Sequence, residues 1–217
     1  MKNLIYKEFK LTTPLLTFLF LGFSLMTFIP GYPILCGAFF ICFGIFQGYQ
    51  YSREAEDIAY SVLLPVKKTD VVKAKFIVAF LLQMIAFVLL TVFVFIRMTF
   101  MSEVGLYVNN ALMRANLVFL GFVLLIFALF NWVFIGGFFK TAYKYGKPFV
   151  TFIVYCFLLI GVAEALHHFP RMGWMNVLDY SNFGMQMIVL ICAGGVYAAT
   201  TILSCRMSQK RFDKIDL

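Results

Sequence analysis

Long apolar runs separated by short polar segments dominate the hydrophobic pattern of this 217-residue chain. Six of these runs approach the roughly 20 residues that a helix needs to cross about 30 Å of hydrocarbon. Because backbone polar groups in lipid must be paired within their own segment, continuous runs of this kind predict transmembrane helices and not barrel strands. The predicted spans are approximately residues 13–29, 32–49, 76–96, 116–139, 149–165 and 183–205.

Composition places the whole chain, residues 1–217, in one all-α integral membrane domain. Hydrophobic residues make up 63% of the chain, charged residues make up 13%, and the mean hydropathy is +0.92. A soluble globular domain has too much surface to cover with so few charges. The five cysteines lie in or beside apolar runs at no metal-ligand spacing, so we interpret them as small hydrophobes and expect no metal. We expect lipid, and not nucleic acid, around this protein.

The net charge of +8 indicates which loops face the cytoplasm. Fifteen of the 18 Lys and Arg residues fall at the two termini and in the loops after the second and fourth predicted spans. Only Arg97, Arg114 and Arg171 fall on the other side. This bias predicts that both termini are cytoplasmic.

No part of the chain reads as a nucleotide-binding domain. The motif G-x-x-x-x-G-K-[ST] is absent from the sequence. The longest predicted cytoplasmic loop, residues 50–75, is shorter than the 50 or more residues of a typical independent domain. If this protein uses ATP, another chain must hydrolyse it, and we do not expect this chain to be an enzyme.

The loop over residues 50–75 carries the densest charge of the chain. Its residues 54–63 predict a short amphipathic helix, whose acids gather near the N-terminal end where the helix dipole favours them. Leu64-Pro65 ends this helix, because the residue before proline is pushed out of the α region. Thr69-Asp70 is then expected to cap the next helix. The alternative is a solvated loop whose lysines only set the topology.

The N-terminal segment, residues 1–12, predicts a helix that lies on anionic headgroups. Lys2, Lys7 and Lys10 share one side of a helical wheel, and apolar residues occupy the other. Glu8 falls among the apolar residues, where an unpaired carboxylate would be costly. We therefore expect Glu8 to bond a cytoplasmic Lys or Arg, or a neighbouring helix end.

A second polar group follows the fifth predicted span. Glu164, His167, His168 and Arg171 lie close together in sequence. Acids within spans are often functional, so this group is a candidate outer gate or substrate contact. Ordinary interfacial anchoring is the alternative interpretation, and a metal site would need ligands that are not apparent.

The charged loop and the N-terminal stretch "NLIYKEFK" resemble the corresponding parts of the ABC-2 type permeases, the membrane subunits of a class of ABC transporters. In that family an acid-bearing segment leads into a leucine-proline step, a basic stretch and the third span. The six-span layout agrees as well. The loop positions that match are Glu54, Glu56, Leu63, Leu64, Pro65, Lys67, Lys68, Asp70 and Lys75.

The resemblance implies that the loop carries a coupling helix, which docks into a cytoplasmic ATPase subunit that holds ATP and Mg. It also implies a dimer with a second permease, either the same chain or a sister chain. This chain would bind no cofactor itself. The implied ATPase-coupling residues are Glu54, Glu56, Asp57, Ile58, Val62, Leu63, Leu64, Pro65, Lys67, Lys68 and Asp70.

In size the chain is most similar to short permeases of Gram-positive bacteria that export peptides or confer resistance to antimicrobial peptides. The resemblance therefore implies an exporter in a bacterial plasma membrane. A stand-alone carrier or channel is the alternative, although the predicted spans contain few ionisable groups at mid-depth and no internal repeat. An intramembrane enzyme is a third, weaker alternative, because both histidines lie outside the spans.

Overall fold

The computed structural model describes residues 1–11, 13–57, 60–61, 66–108, 110–140 and 144–215, and this part of the chain is helical with no strand. Helix α6 (Leu117–Leu129) continues through a π-helical turn, Phe130–Ile135, into α7 (Gly136–Lys140). Short 3-10 helices occupy Gly22–Phe28, Gly173–Asn176 and Tyr180–Asn182. The α-helices are α1 (Lys2–Leu11), α2 (Leu15–Leu21), α3 (Cys36–Glu54), α4 (Lys68–Phe100), α5 (Gly105–Val108), α6 (Leu117–Leu129), α7 (Gly136–Lys140), α8 (Gly146–Leu166) and α9 (Phe183–Phe212).

Four helical stretches in the described part of the chain are long and apolar enough to cross a membrane. They are α4, the continuous α6–α7 stretch Leu117–Lys140, α8, and the stretch Tyr180–Phe212 that contains α9. Helix α1 and the segment Leu15–Phe28, bent by 84° from each other, would together count as a fifth. The chain is therefore an all-α, multi-pass membrane protein, and the count of six spans stays a prediction.

The first two predicted spans differ from the other four because their apolar helical segments are shorter than the thickness of the hydrocarbon layer. Seven α-helical and seven 3-10 residues over Leu15–Phe28 extend for about 25 Å, short of about 30 Å of hydrocarbon. Helix α3 is apolar only as far as Phe46, and glutamines and charges follow. Its apolar half is buried between other helices, with Ala38, Ile41 and Cys42 at most 1% exposed. A helix screened from lipid in this way does not need a long apolar run.

Helix α6 lies at the centre of the bundle and α9 at its edge. Of the 18 most apolar consecutive residues in the α6–α7 stretch, 78% are buried by other parts of the chain. In the stretch that contains α9 the corresponding share is 17%. Phenylalanine rings pack around the π-helical turn that follows α6. Phe46 and Phe149 stack with ring centroids 3.7 Å apart, and both contact Phe134 of this turn. Helices α2 and α3 cross at Gly44, where an added Cβ would lie 2.4 Å from the Cβ of Phe20, so that only glycine fits. These contacts fix the helices that carry the polar groups described below.

The expected cap of the third span is wrong. Helix α4 begins at Lys68, with Lys67 in the N-cap position and no side-chain capping bond. Contacts with the end of α9 hold this first turn instead, since Lys68 Nζ donates to the carbonyl of Ile215 at 2.7 Å and Gln209 Nε2 donates to the carbonyl of Thr69 at 3.1 Å. Asp70 lies in the first turn, where the helix dipole still favours an acid.

The start of the predicted loop helix is also wrong. Glu54 is the last residue of α3, so it lies at a helix C-terminus and not at the N-terminus of a loop helix. The chain then turns at Glu56, a non-glycine residue with φ of 49°. This happens because α3 continues beyond its apolar half. The predicted coupling residues Ile58, Val62, Leu63, Leu64 and Pro65 lie outside the described residues.

Candidate functional site

Four charged side chains from three separate elements meet at the end of the bundle where α1, the start of α4 and the end of α9 lie, which we call the basic end. Lys7 and Glu8 come from α1, Asp57 comes from the loop after α3, and Lys75 comes from the third turn of α4. We call them the four-charge cluster. The sequence places Glu8 on the apolar side of α1, and this side packs on the base of α4, where Leu4 is buried against Val71 and Ala74.

Lys75 is the centre of the four-charge cluster. Its ammonium donates to Glu8 Oε2 at 2.7 Å, to Ser52 Oγ at 2.8 Å and to Asp57 Oδ2 at 3.2 Å. A lysine ammonium has three donors, so each of them is paired. The side chain is 3% exposed. The pairing that the sequence led us to expect for Glu8 is thus confirmed, and the nearer of its two lysine partners is Lys75.

Lys7 closes the arrangement from the other side. Its Nζ lies 2.6 Å from Asp57 Oδ1 and 3.4 Å from Glu8 Oε1, and it donates to Ser61 Oγ. Ser61 in turn donates to the backbone carbonyl of Asp57 at 2.6 Å. Each ammonium therefore contacts both carboxylates, and the charges alternate around a group with no net charge.

Burial makes these pairs stronger and their disruption more costly. Glu8 is 2% exposed and Asp57 is 7% exposed. Burial by itself raises the pKa of Asp57, but the attraction of Lys75 and of Lys7 outweighs it, so the pKa of this carboxyl lies below its ordinary value of 3.8. Removing one partner of a buried ion pair costs about 3–5 kcal/mol, because the other charge stays buried without compensation.

The four-charge cluster joins elements that are far apart in sequence. Ser52 connects the end of α3 to the four-charge cluster, because its hydroxyl donates to Asp57 Oδ2 at 3.2 Å. Helix α4, to which Lys75 belongs, has 33 residues and therefore extends for about 50 Å. A displacement of the loop at Asp57 would be transmitted to α1 and to the base of this long helix.

The other predicted coupling residues that the structure describes differ in their solvent exposure. Glu54, Glu56 and Lys67 are exposed, whereas Lys68 and Asp70 are partly exposed. Asp57 is buried inside the chain's own cluster. Lys2 and Lys10, from the predicted interfacial helix, are exposed on α1.

A second, uncharged polar network lies in the middle of the bundle, where α4, the π-helical turn and α9 meet. Gln83 and Asn131 exchange hydrogen bonds at 2.9 and 3.0 Å through their amide groups. Tyr197 donates its hydroxyl to Gln83 Oε1 at 2.7 Å, and Asn131 Nδ2 donates to Thr201 Oγ1 at 2.9 Å. Ser204 donates to the backbone carbonyl of Asn131 at 2.7 Å. A π-turn inside a membrane helix is thereby stabilised by side chains of its neighbours.

The candidate outer gate lies at the opposite end of the bundle. Glu164 Oε2 accepts from the backbone N–H of Met113 at 2.7 Å, and His167 Nε2 lies 2.9 Å from the carbonyl of Ala111. Both side chains thus hold the segment before α6. His168 and Arg171 are exposed, and the ring of His168 lies against that of His167 with centroids 4.1 Å apart. A role in gating stays a prediction for all four residues.

Sequence reasoning missed several of the residues that complete the polar groups. Ser52 and Ser61 carry no signal that separates them from other loop serines. Lys75 was noticed only as a match to a loop pattern, although a lysine directly before the apolar run at Phe76 is a signal for a paired, buried charge. Gln83 and Asn131 were detectable as the amides at mid-depth of two predicted spans.

The comparison with known proteins gives a match to a family model. No curated protein and no solved structure matches the chain. The family model described as "ABC-2 family transporter protein" matches residues 3–213, which include all three polar groups and, apart from the first residue of α1, all the helices described above. The chain therefore belongs to the ABC-2 family of transporter proteins.

Proposed function

We propose that this chain is the permease subunit of an ABC transporter that exports peptides or lipophilic, antimicrobial compounds from a bacterial cell. It crosses the plasma membrane six times with both termini in the cytoplasm, and it pairs with a second permease. ATP and Mg bind to a separate ATPase subunit. The observation that carries the proposal is the four-charge cluster, because it attaches the charged loop to α1 and α4 in a chain that belongs to the ABC-2 family.

The proposed mechanism begins at the surface of the loop. Glu54, Glu56 and Lys67 are exposed and form the polar rim of the contact with the ATPase subunit. When ATP binding closes the ATPase subunits, they push on the loop. Asp57 transmits this displacement to Lys75 and Glu8, so that α1 and the base of α4 move together with the loop.

An amide network in the middle of the bundle is compatible with such a movement. Hydrogen bonds between uncharged side chains such as Gln83 and Asn131 are each worth about 1 kcal/mol or less in membranes, so they can exchange partners when α4 shifts against α6 and α9. In the described part of the chain, the most apolar 18 residues of each of the four long helices include at most two charged side chains, which favours lipophilic or amphipathic cargo over small ions.

The partner is tested by purification of the tagged, full-length chain from its host membrane in a mild detergent, followed by mass spectrometry. We expect a stoichiometric protein that carries the G-x-x-x-x-G-K-[ST] motif. Leu63→Asp with Leu64→Asp should remove it, whereas Leu106→Asp, an exposed leucine at the opposite end, should not. Recovery of the chain without any ATPase would favour the stand-alone carrier instead.

The coupling role is tested by the ATPase activity of the reconstituted complex, compared with that of the ATPase subunit alone. Glu8→Gln should leave the complex assembled but reduce the permease-dependent change in ATPase activity by roughly tenfold. A factor of this size corresponds to a typical coupling free energy between two sites. Glu8→Asp keeps the carboxylate and should retain much of the coupling. Glu103→Gln, at an exposed position of the opposite end, is the matched control. Equal coupling in Glu8→Gln and the control would refute the transmission role.

A further inference from the structure

A groove of about 590 Å³ runs between α4 and α9, beginning at the basic end of the bundle. One stripe of α4 and one stripe of α9 form its walls. The lining includes Phe76, Phe80 and Met84 from α4. It also includes Tyr197 and Ile202 from α9. The groove is thus apolar along most of its length.

The shape of the groove matches a single elongated apolar chain. Phe76 and Tyr197 are buried and form its floor, whereas Phe80 and Ile202 are 40% and 53% exposed at its open side. From Lys73 to Met84 the groove follows eleven helical steps, or about 17 Å. This is close to the depth of one leaflet, which is half of about 30 Å of hydrocarbon.

Charge is confined to the end of the groove that lies nearest to the basic end. Lys73 and Arg206 line that end, and both are exposed. Among the residues that the structure describes, neither forms a salt bridge, and no acid lines the groove. Asp70 precedes Lys73 by three positions without an ion pair between them. Lys7 and Lys75, in contrast, have two carboxylate partners each.

We propose that this groove binds one anionic phospholipid from the leaflet at the basic end. An acyl chain lies along Phe76, Phe80 and Ile202, and the headgroup phosphate lies between Lys73 and Arg206. Basic pockets between helices at a membrane surface recognise anionic headgroups in this way. The site opens sideways to lipid and ends at leaflet depth, which fits a resident phospholipid and needs no transported cargo. It does not depend on the proposed transport function.

Native mass spectrometry of the full-length protein in detergent tests the site. The protein is titrated with phosphatidylglycerol and with phosphatidylcholine that carry identical acyl chains. We expect the first phosphatidylglycerol to bind more tightly than phosphatidylcholine. In Lys73→Ala with Arg206→Ala the affinity for phosphatidylglycerol should fall by roughly fivefold for each cation, or about 25-fold together, and the affinity for phosphatidylcholine should not change.

Two further variants separate a built site from diffuse surface charge. Lys67→Ala with Lys210→Ala removes two exposed cations from the same end of the bundle and should keep the preference for phosphatidylglycerol. Ala198→Phe fills the groove without a change of charge and should weaken the first binding step for both lipids. The proposal is overturned if the wild-type protein binds both lipids equally. It is also overturned if both double variants lose affinity to the same extent, or if Ala198→Phe has no effect.

Discussion

At the basic end of the bundle, ion pairs between side chains attach the loop after α3 to helices α1 and α4. At the opposite end, amide and carboxylate side chains of the helices attach the loops by hydrogen bonds to backbone groups of those loops. Lys75 and Lys7 contact Asp57 through side chains alone. Asn116 instead donates to the carbonyls of Met175 and Val177, at 2.7 and 3.1 Å. Both regions are buried, but the first joins side chains from separate elements and the second closes the ends of helices.

The difference shows which end is suited to transmit movement. A bond from a side chain to the backbone fixes a chain segment in one conformation, as Gln186 does by donating to the carbonyls of Trp174 and Val177. An alternating group of charges can move as a body, because every charge keeps an opposite neighbour. The basic end can therefore transmit a displacement that the opposite end would resist.

The largest effect is expected for Lys75→Met at the basic end. The substitution keeps the length of the side chain but removes three hydrogen bonds and leaves Glu8 and Asp57 close together without their central cation. We expect the free energy of unfolding to fall by about 3–5 kcal/mol, measured by dodecyl sulfate titration in mixed micelles. Lys73→Met, at an exposed position two residues earlier, should change it little. Similar values for both variants would show that the four-charge cluster does not stabilise the chain.

A smaller effect is expected for Asn116→Ala at the opposite end. Asn116 is fully buried and caps α6 by accepting from the N–H of Phe119 at 3.0 Å. The substitution removes the cap and the two hydrogen bonds that Asn116 donates to the carbonyls of Met175 and Val177. The free energy of unfolding should therefore fall by about 2–3 kcal/mol in the same titration. In the reconstituted complex the ATPase coupling of the folded protein should persist, in contrast to Glu8→Gln. Asn182→Ala, which loses only a bond to Ser181, is the control. Lost coupling in folded Asn116→Ala would contradict the division of roles between the two ends.

The sequence predicted the elements of this comparison more reliably than their contacts. Four of the six predicted spans follow from apolar runs, and the pairing of Glu8 followed from a carboxylate on the apolar side of a helix. The start of α4 could not be predicted, since contacts with Ile215 and Gln209 near the other terminus decide it. Tertiary contacts of this kind override local capping preferences, and no local pattern reports them.

Acid should weaken the basic end selectively. The pKa of Asp57 lies below 3.8, so its contribution to stability is present above the unfolded pKa and disappears as the pH falls through the lower, folded value. We expect the difference in thermal unfolding temperature between wild type and Asp57→Asn to be constant from neutral pH to about pH 5, and to shrink at pH values below 3.8. A difference that already shrinks between pH 7 and pH 5 would mean that the pKa of Asp57 is raised.

The smallest effect is expected for Tyr49→Phe, which tests where the four-charge cluster ends. The ring of Tyr49 lies 5.9 Å from Lys75 Nζ, whereas its buried hydroxyl has no hydrogen-bond partner among the described residues. Because phenylalanine keeps the ring, the free energy of unfolding should change by less than about 0.5 kcal/mol. Tyr49 borders a cavity of about 20 Å³, also lined by Glu8 and Lys75, which has room for one water. A loss of more than about 1.5 kcal/mol would mean that such a water joins Tyr49 to the four-charge cluster, because only a hydrogen-bonded hydroxyl leaves its partner unsatisfied when it is removed.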